Sequence, residues 1–367
     1  MNQCLVQYGD FGVRVKSADP TLLVWLREFL APSFDFACGG QAAWDVTVEH
    51  DPVRCASLLS KGSSHEGETV ECFTRDGHFL SFPLWEQRGQ SRTVRDANCK
   101  LFYHVSLARK CVEILCEEAN HLMRRAAARV IRELATGHCV RNGDIPIHGA
   151  AFARGGIAVL LAGPRRSGKT TQLTAELTHN RAQFIANDRV MLQRSAGGTI
   201  ARGMPTVITL RGGTVELFPE LARLQSDRQY HREFTLDEAQ PAAIPTDGSM
   251  KLSQAQYGDL VGCTAVASGP LKEILFPVVV DNARRTTTQD VNGDEAARLL
   301  YDSLLQSDLP ARHASLFSEA DSDLIDNNRR RLRCHEIVQS IPCYRITVAP
   351  QTVNQWPDSP LWRRAAA

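Results

Sequence analysis

The sequence predicts a mixed α/β protein, a P-loop catalytic domain preceded by an α+β domain. Three observations point there. At 367 residues the chain exceeds one ordinary hydrophobic core. Short runs with strand alternation interleave with stretches of helical periodicity. A glycine loop ending in Lys-Thr sits between an apolar run and a helical pattern. A junction near the Asn142-Gly143 pair divides the chain into an N-terminal domain (1–140), a catalytic domain (141–350) and a C-terminal extension (351–367) with Trp356, Pro357 and Pro360.

In the first part, Phe11, Val13 and Val15 alternate as in a half-buried strand. Asp19-Pro20 reads as an N-cap followed by proline at the first helical position. Leu22, Leu23, Leu26, Phe29 and Leu30 give that helix one apolar face. Trp44, Val46 and Val48 alternate again, 62–68 reads as a loop, and TVECFTRDGHFLSF reads as a hairpin turning at Asp76-Gly77. Helical spacing from Leu115 to Leu134 predicts a long helix over Glu113–Thr136, ended by Gly137 and Asn142-Gly143. IPIHGAAFA and IAVLLAG predict two strands joined by a tight turn at Arg154-Gly155-Gly156. GMPTVITLRGG, EILFPVVVD and PCYRITVA read as further strands, and DEAARLLYDSLL as a helix.

Composition narrows the function classes. A net charge of +1 does not favour nucleic acid or an acidic membrane surface as partner. The basic run Arg329-Arg330-Arg331 with Arg333 reads as a solvated face. The 11 cysteines lack metal or disulfide-framework spacing and predict reduced thiols in a cytoplasmic protein. The N-terminus does not read as a signal peptide, and no apolar run approaches the ~20 residues of a membrane span.

The chemistry concentrates between Ile145 and Leu192. Gly163-Pro164-Arg165-Arg166-Ser167-Gly168-Lys169-Thr170 fits G-x-x-x-x-G-K-[ST] at each fixed position. Glycines let successive N–H groups converge on phosphate, and the helix that follows points its positive end at the same anion. Gly163, Arg165, Arg166, Ser167, Gly168, Lys169, Thr170 and Thr171 are therefore the candidate nucleotide-binding residues. Lys169 supplies charge to the β- and γ-phosphates, and the Thr170 hydroxyl can bind Mg²⁺. Arg165 and Arg166 serve either solubility or an extra grip on an anion. FIANDRV reads as a strand ending in an acid, so Asp188 would stand at a strand end beside the loop, able to hold Mg²⁺ or take a proton from an attacking hydroxyl. His148 lies on the strand before the P-loop strand.

The order IHG, VLLAGPRRSGKTT, FIANDRV resembles the catalytic domain of the bacterial HPr kinase/phosphorylase family over about an eighth of the chain. The resemblance implies a fold like that of phosphoenolpyruvate carboxykinase, and phosphoryl transfer from ATP or another nucleoside triphosphate with Mg²⁺. By position it implies catalytic roles for His148, Lys169 and Asp188, with Thr170 and Asp188 at the metal. Two departures stand out. Asn187 replaces the first acid of the family's Asp-Asp pair, and the later Leu-Glu-x-Arg-Gly signature is missing. HPr is therefore not the expected substrate. The resemblance points instead to the HPr-kinase-like proteins of natural-product pathways. The expected acceptor is a peptide serine or a small-molecule hydroxyl, with a biosynthetic partner protein and a homo-oligomer compatible with the reading. The alternative is a nucleotide-binding scaffold with weak or no transfer. Arg202, Arg211 and Lys251 read as surface or structural residues.

Overall fold

The computed structural model describes residues 1–75, 78–227, 248–280, 282–305, 316–317 and 327–349, without the side chains of 71–75, 78–79 and 225–226. Two compact units divide at Arg141/Asn142. The buried Leu316 and Phe317 belong to the first, so the second is interrupted in sequence. The assigned extension, the Asp76-Gly77 turn and the last residue of EILFPVVVD lie outside the described residues. Among those described, no helix is long and apolar enough to cross a membrane.

The first unit runs β1 (Asn2–Tyr8), β2 (Phe11–Ser17), α1 (Pro20–Leu30), β3 (Asp35–Ala37), β4 (Trp44–His50), α2 (Pro52–Lys61), β5 (Thr69–Arg75), β6 (His78–Arg88), β7 (Ser91–Asp96), β8 (Leu101–Ser106), β9 (Cys111–Cys116) and α3 (His121–Arg141). Its sheet has the order β3-β1-β2-β4-β9-β8-β7-β6-β5, with β4 parallel to both neighbours. Asp19 caps α1 as its Asp-Pro sequence predicts, accepting from the Thr21 N–H at 2.8 Å. The same pair recurs at Asp51-Pro52, where Asp51 accepts from the Arg54 N–H at 2.8 Å and starts α2, a helix the sequence reading does not assign.

The long helix needs correction. Glu113 lies in β9, and α3 begins only at His121. Val112, Ile114 and Leu115 are drawn into the sheet between β4 and β8, where both backbone edges are paired. Asn120 then accepts from the Leu122 N–H and opens the helix. Gly137 does not end it; α3 runs on to Arg141 and stops before Gly143, whose φ is 85°.

The second unit runs β10 (Ile145–Arg154), β11 (Ile157–Ala162), α4 (Lys169–His179), β12 (Gln183–Ser195), β13 (Gly198–Gly203), β14 (Ile208–Arg211), α5 (Gly212–Leu217), α6 (Arg223–Ser226), β15 (Ser249–Leu252), α7 (Gln254–Val261), β16 (Ser268–Val279), β17 (Thr287–Asp290), α8 (Gly293–Asp302), α9 (Asn327–Ser340) and β18 (Cys343–Val348). The main sheet has the order β11-β10-β12-β13-β16-β18-β17. Because β11 also pairs with β16, five strands close into a ring. Both sheet faces are apolar, as the near-continuous hydrophobic runs require. Val159 and Leu161 join a core with Leu173, Phe184 and Tyr257. Ala158 and Leu160 join another with Leu300 of α8 and Ile337 of α9. GMPTVITLRGG is not one strand: β13 ends at Gly203 and β14 starts at Ile208.

One position aligns the middle of this sheet. Gly149 in β10 pairs with Ala162 of β11 on one side and Asp188 of β12 on the other. A Cβ at Gly149 would lie 2.8 Å from the Leu161 carbonyl oxygen, closer than real Cβ contacts allow, so glycine is required by close approach. Where β11 departs, the residues after α8 take over the edge of β10: the Ser303 carbonyl accepts from the His148 N–H at 2.7 Å, and Leu305 donates to Pro146.

Gly149→Ala should destabilise the protein by about 1–3 kcal/mol, the usual range for overpacking where the obstructing atom is backbone. Chemical denaturation checks this, with Gly293→Ala as comparison: its added Cβ meets nothing within 4 Å, and its backbone is not in the left-handed region.

Candidate phosphate-binding site

Gly149 sets three sequence segments at one level of the sheet. His148 and Arg189 are cross-strand partners, Gly149 faces Asp188, and Ala162 passes directly into the glycine loop. The P-loop, His148 and Asp188 therefore lie at one level of the sheet, where β11 ends beside the interiors of β10 and β12.

The loop leaves β11 through Gly163 at φ 149° and enters α4 through Gly168 at φ 98°. A side chain at Gly168 would be strained in backbone and would place its Cβ 2.8 Å from Val279 Cγ2. Gly168 is the N-cap of α4 and offers no capping side chain, so the first N–H groups of the helix lack the usual side-chain acceptor. Pro164, Arg165 and Arg166 are exposed, and Arg166 is itself at φ 65°. Ser167 is buried, and its Oγ has no hydrogen-bond partner. Lys169 is buried and donates from Nζ to the carbonyls of Gly163 and Pro164, both at 2.8 Å. Burial lowers its pKa to about 8; Asp188 works against that shift, and Arg165 adds to it. Thr170 Oγ1 donates to Asn187 Oδ1 at 3.1 Å, and Thr171 Oγ1 lies 3.4 Å from Thr214 Oγ1.

Asp188 does not stand at a strand end. It lies in the middle of β12, whose first half pairs with β10 and whose second half also pairs with β13 from Val190 onward. The acid is nevertheless accessible, with 41% of its side chain exposed, because β13 does not yet run beside it. Its φ of 104° is a conformation that residues other than glycine rarely adopt. Asn187 and Arg189 hold the distortion from both sides. Thr206 Oγ1 donates to the Asn187 carbonyl at 3.1 Å, and Met204 N–H donates to the Arg189 carbonyl at 3.1 Å.

The Asp188 carboxylate faces the imidazole, with Oδ1 3.6 Å from His148 Nδ1, and Arg189 Nε lies 3.9 Å from Oδ2. Burial lowers the His148 pKa. Asp188 counters this, while Lys169, Arg165 and Arg189 push in the same direction as burial. Two arginines and the buried lysine thus bear on one imidazole. Sequence reasoning passed over Arg189, although it directly follows the acid. It also missed Thr206 and Ser303, whose roles come from long-range backbone contacts that leave no local signal. It treated Asn187 as a lost acid; here its amide oxygen fixes the Thr170 hydroxyl. Arg202, Arg211 and Lys251 lie on β13, β14 and β15. Among the described residues, no group of three or more His, Cys, Asp or Glu forms a metal cluster.

No family model matches the chain, and no curated protein matches it. Among solved structures, the HPr(Ser) kinase/phosphatase from Coxiella burnetii is similar at 12% identity and a TM-score of 0.21, over 40% of this chain and 70% of that one. A likeness this slight carries no weight on its own, and the functional reading rests on the residues.

Two predictions follow from the strain and the burial. Asp188→Gly should raise stability by about 1 kcal/mol, because glycine relieves the φ penalty, while removing the carboxylate from the site; a melting temperature below that of the native chain would contradict the strain. For Lys169, the folded state disfavours the charged form, so the penalty is complete below about pH 8 and disappears above its ordinary 10.5. In that window the unfolded chain binds more protons, so this residue makes stability rise with pH. Lys169→Met should flatten the rise in denaturation midpoints measured from pH 7.5 to 10.

Proposed function

We propose that the protein is an ATP- and Mg²⁺-dependent kinase that transfers the γ-phosphoryl group to a hydroxyl, either of a peptide serine or of a small molecule. The observation carrying this reading is the double pairing of Gly149, which sets the loop with Lys169, leaving the end of β11, at the same level as His148 in β10 and Asp188 in β12.

The chain's own groups suit a polyphosphate. The uncapped start of α4 and the loop N–H groups offer donors to phosphate oxygens. Lys169 Nζ, held by two carbonyls of its own loop, would exchange them for the stronger acceptors of a β- or γ-phosphate. Arg165 and Arg189 add charge at the mouth. With its proton directed to Asn187, the Thr170 oxygen keeps its lone pairs for a cation. Thr170 and Asp188 would hold Mg²⁺, an ion that takes few protein ligands and completes its shell with phosphate and water. When bound, it neutralises charge on the β- and γ-oxygens.

The acceptor hydroxyl must lose its proton as it attacks. The Asp188 carboxylate is the exposed acid beside the loop and would take that proton. His148, kept neutral by burial and neighbouring cations, would hold the carboxylate through Nδ1. Asn187 cannot serve as a base, which favours a second reading: a scaffold that binds nucleotide without efficient transfer.

Labelled ATP with a panel of peptide and small-molecule hydroxyls, including products of neighbouring genes, separates the two. The kinase reading expects acceptor labelling. Lys169→Ala should weaken nucleotide binding at least tenfold. Asp188→Asn should retain nucleotide binding and lower the labelling rate by 10²-fold or more, in the usual range for acid–base groups. Tight ATP binding with no labelled acceptor in the native chain favours the scaffold.

A further inference from the structure

Two thiols of the first unit are set side by side by strand register. β3 runs antiparallel to β1, with Leu5 opposite Ala37 and Val6 opposite Phe36. β3 ends at Ala37; one step beyond it the same register would bring Cys38 opposite Cys4, and Cys38 is close enough to act on the Cys4 thiol. Antiparallel partners have Cα atoms roughly 4.5–5.5 Å apart, inside the roughly 4.4–6.8 Å that a disulfide spans. Both thiols are free; Cys4 is buried and Cys38 exposed. Alternation along the strands puts Cys4, Val6, Phe36 and Cys38 on one face.

The same face carries a cation. Arg27 of α1 lies over the Phe36 ring, 5.6 Å from its centroid. Burial raises the Cys4 thiol pKa, the Arg27 charge pulls it back, and Cys38 is close enough to push it up again. Arg27 thus works against the burial of Cys4, whose thiolate exchange chemistry needs. β3 is a three-residue strand at the sheet edge, paired only with β1.

We propose that Cys4 and Cys38 form a reversible cross-strand dithiol/disulfide couple that reacts with low-molecular-weight disulfides. The exposed Cys38 thiolate attacks one sulfur of the small disulfide, forming a mixed disulfide and releasing one thiolate. Cys4 then attacks the Cys38 sulfur and expels the second. Two protein thiols are oxidised by two electrons, one small disulfide is reduced to two thiols, and the two protons pass to the released thiolates. The product ties β3 to β1 and closes a loop containing β2 and α1. The other buried thiols are poorer reactants: burial raises Cys55 to about 11 and Cys116, Cys334 and Cys343 to about 12.

The full chain is equilibrated across a series of reduced and oxidised glutathione, quenched with an alkylating agent, digested and mapped by mass spectrometry. The expected result is a Cys4–Cys38 linked peptide that appears before any other linkage, with loss of two titratable thiols and full reversal by excess reduced glutathione. Cys38→Ser and Cys4→Ser should each abolish it, and Cys4→Ser should leave a mixed disulfide on Cys38. A native map in which Cys38 stops at the mixed disulfide, or in which another pair such as Cys55–Cys116 links first, overturns the proposal without reference to either variant.

Discussion

The candidate site depends on a close approach at one residue. Gly149 is paired on both edges, and the Leu161 carbonyl occupies the space a side chain would need. That approach fixes where β11 ends relative to β12. It therefore fixes the glycine loop relative to Asp188, and His148 relative to both. Shifting β12 by one residue would turn Asp188 to the opposite face of the sheet, because side chains alternate with a period of two. The register is in turn held by apolar residues buried on both faces, Val159 and Leu161 in one core and Leu160 and Ala162 in the other.

Within that frame the site combines strain and uneven charge. Asp188 is held at a positive φ between two backbone segments anchored by Thr206 and Met204. Strain of this kind persists only where surrounding contacts over-determine it, and it concentrates at functional positions. Lys169, Arg165 and Arg189 surround the His148 imidazole, with Asp188 the one carboxylate that counters them there. A concentration of positive charge at the end of a rigid sheet attracts polyanions from solution. The net charge of +1 gives no hint of it, because the asymmetry is local.

Much of the second unit was legible in the sequence, for identifiable reasons. The strands β10, β11 and β16 carry apolar runs buried on both faces, β18 alternates, and α8 has a clear amphipathic period. Gly155 and Gly156, at φ 60° and 80°, form the turn their identity predicts. The first unit was less legible. The end of β9 and the start of α3 share an apolar pattern compatible with either structure, and only sheet pairing on both sides of β9 decided between them. The Asp51-Pro52 signal was present but passed over. β12 was cut short because an acid in FIANDRV suggests an end, whereas its neighbours keep the strand paired through Ser195.

The sequence by itself determined the glycine loop, the helix behind it and the residue types available to it, because local backbone freedom and spacing encode those features. Tertiary structure alone decided that Asp188 sits in mid-strand at a positive φ, that Asn187 anchors Thr170, and that Arg189 faces His148. Those relations arise between segments tens of residues apart. They are fixed by sheet register and two-sided packing, which no local pattern carries.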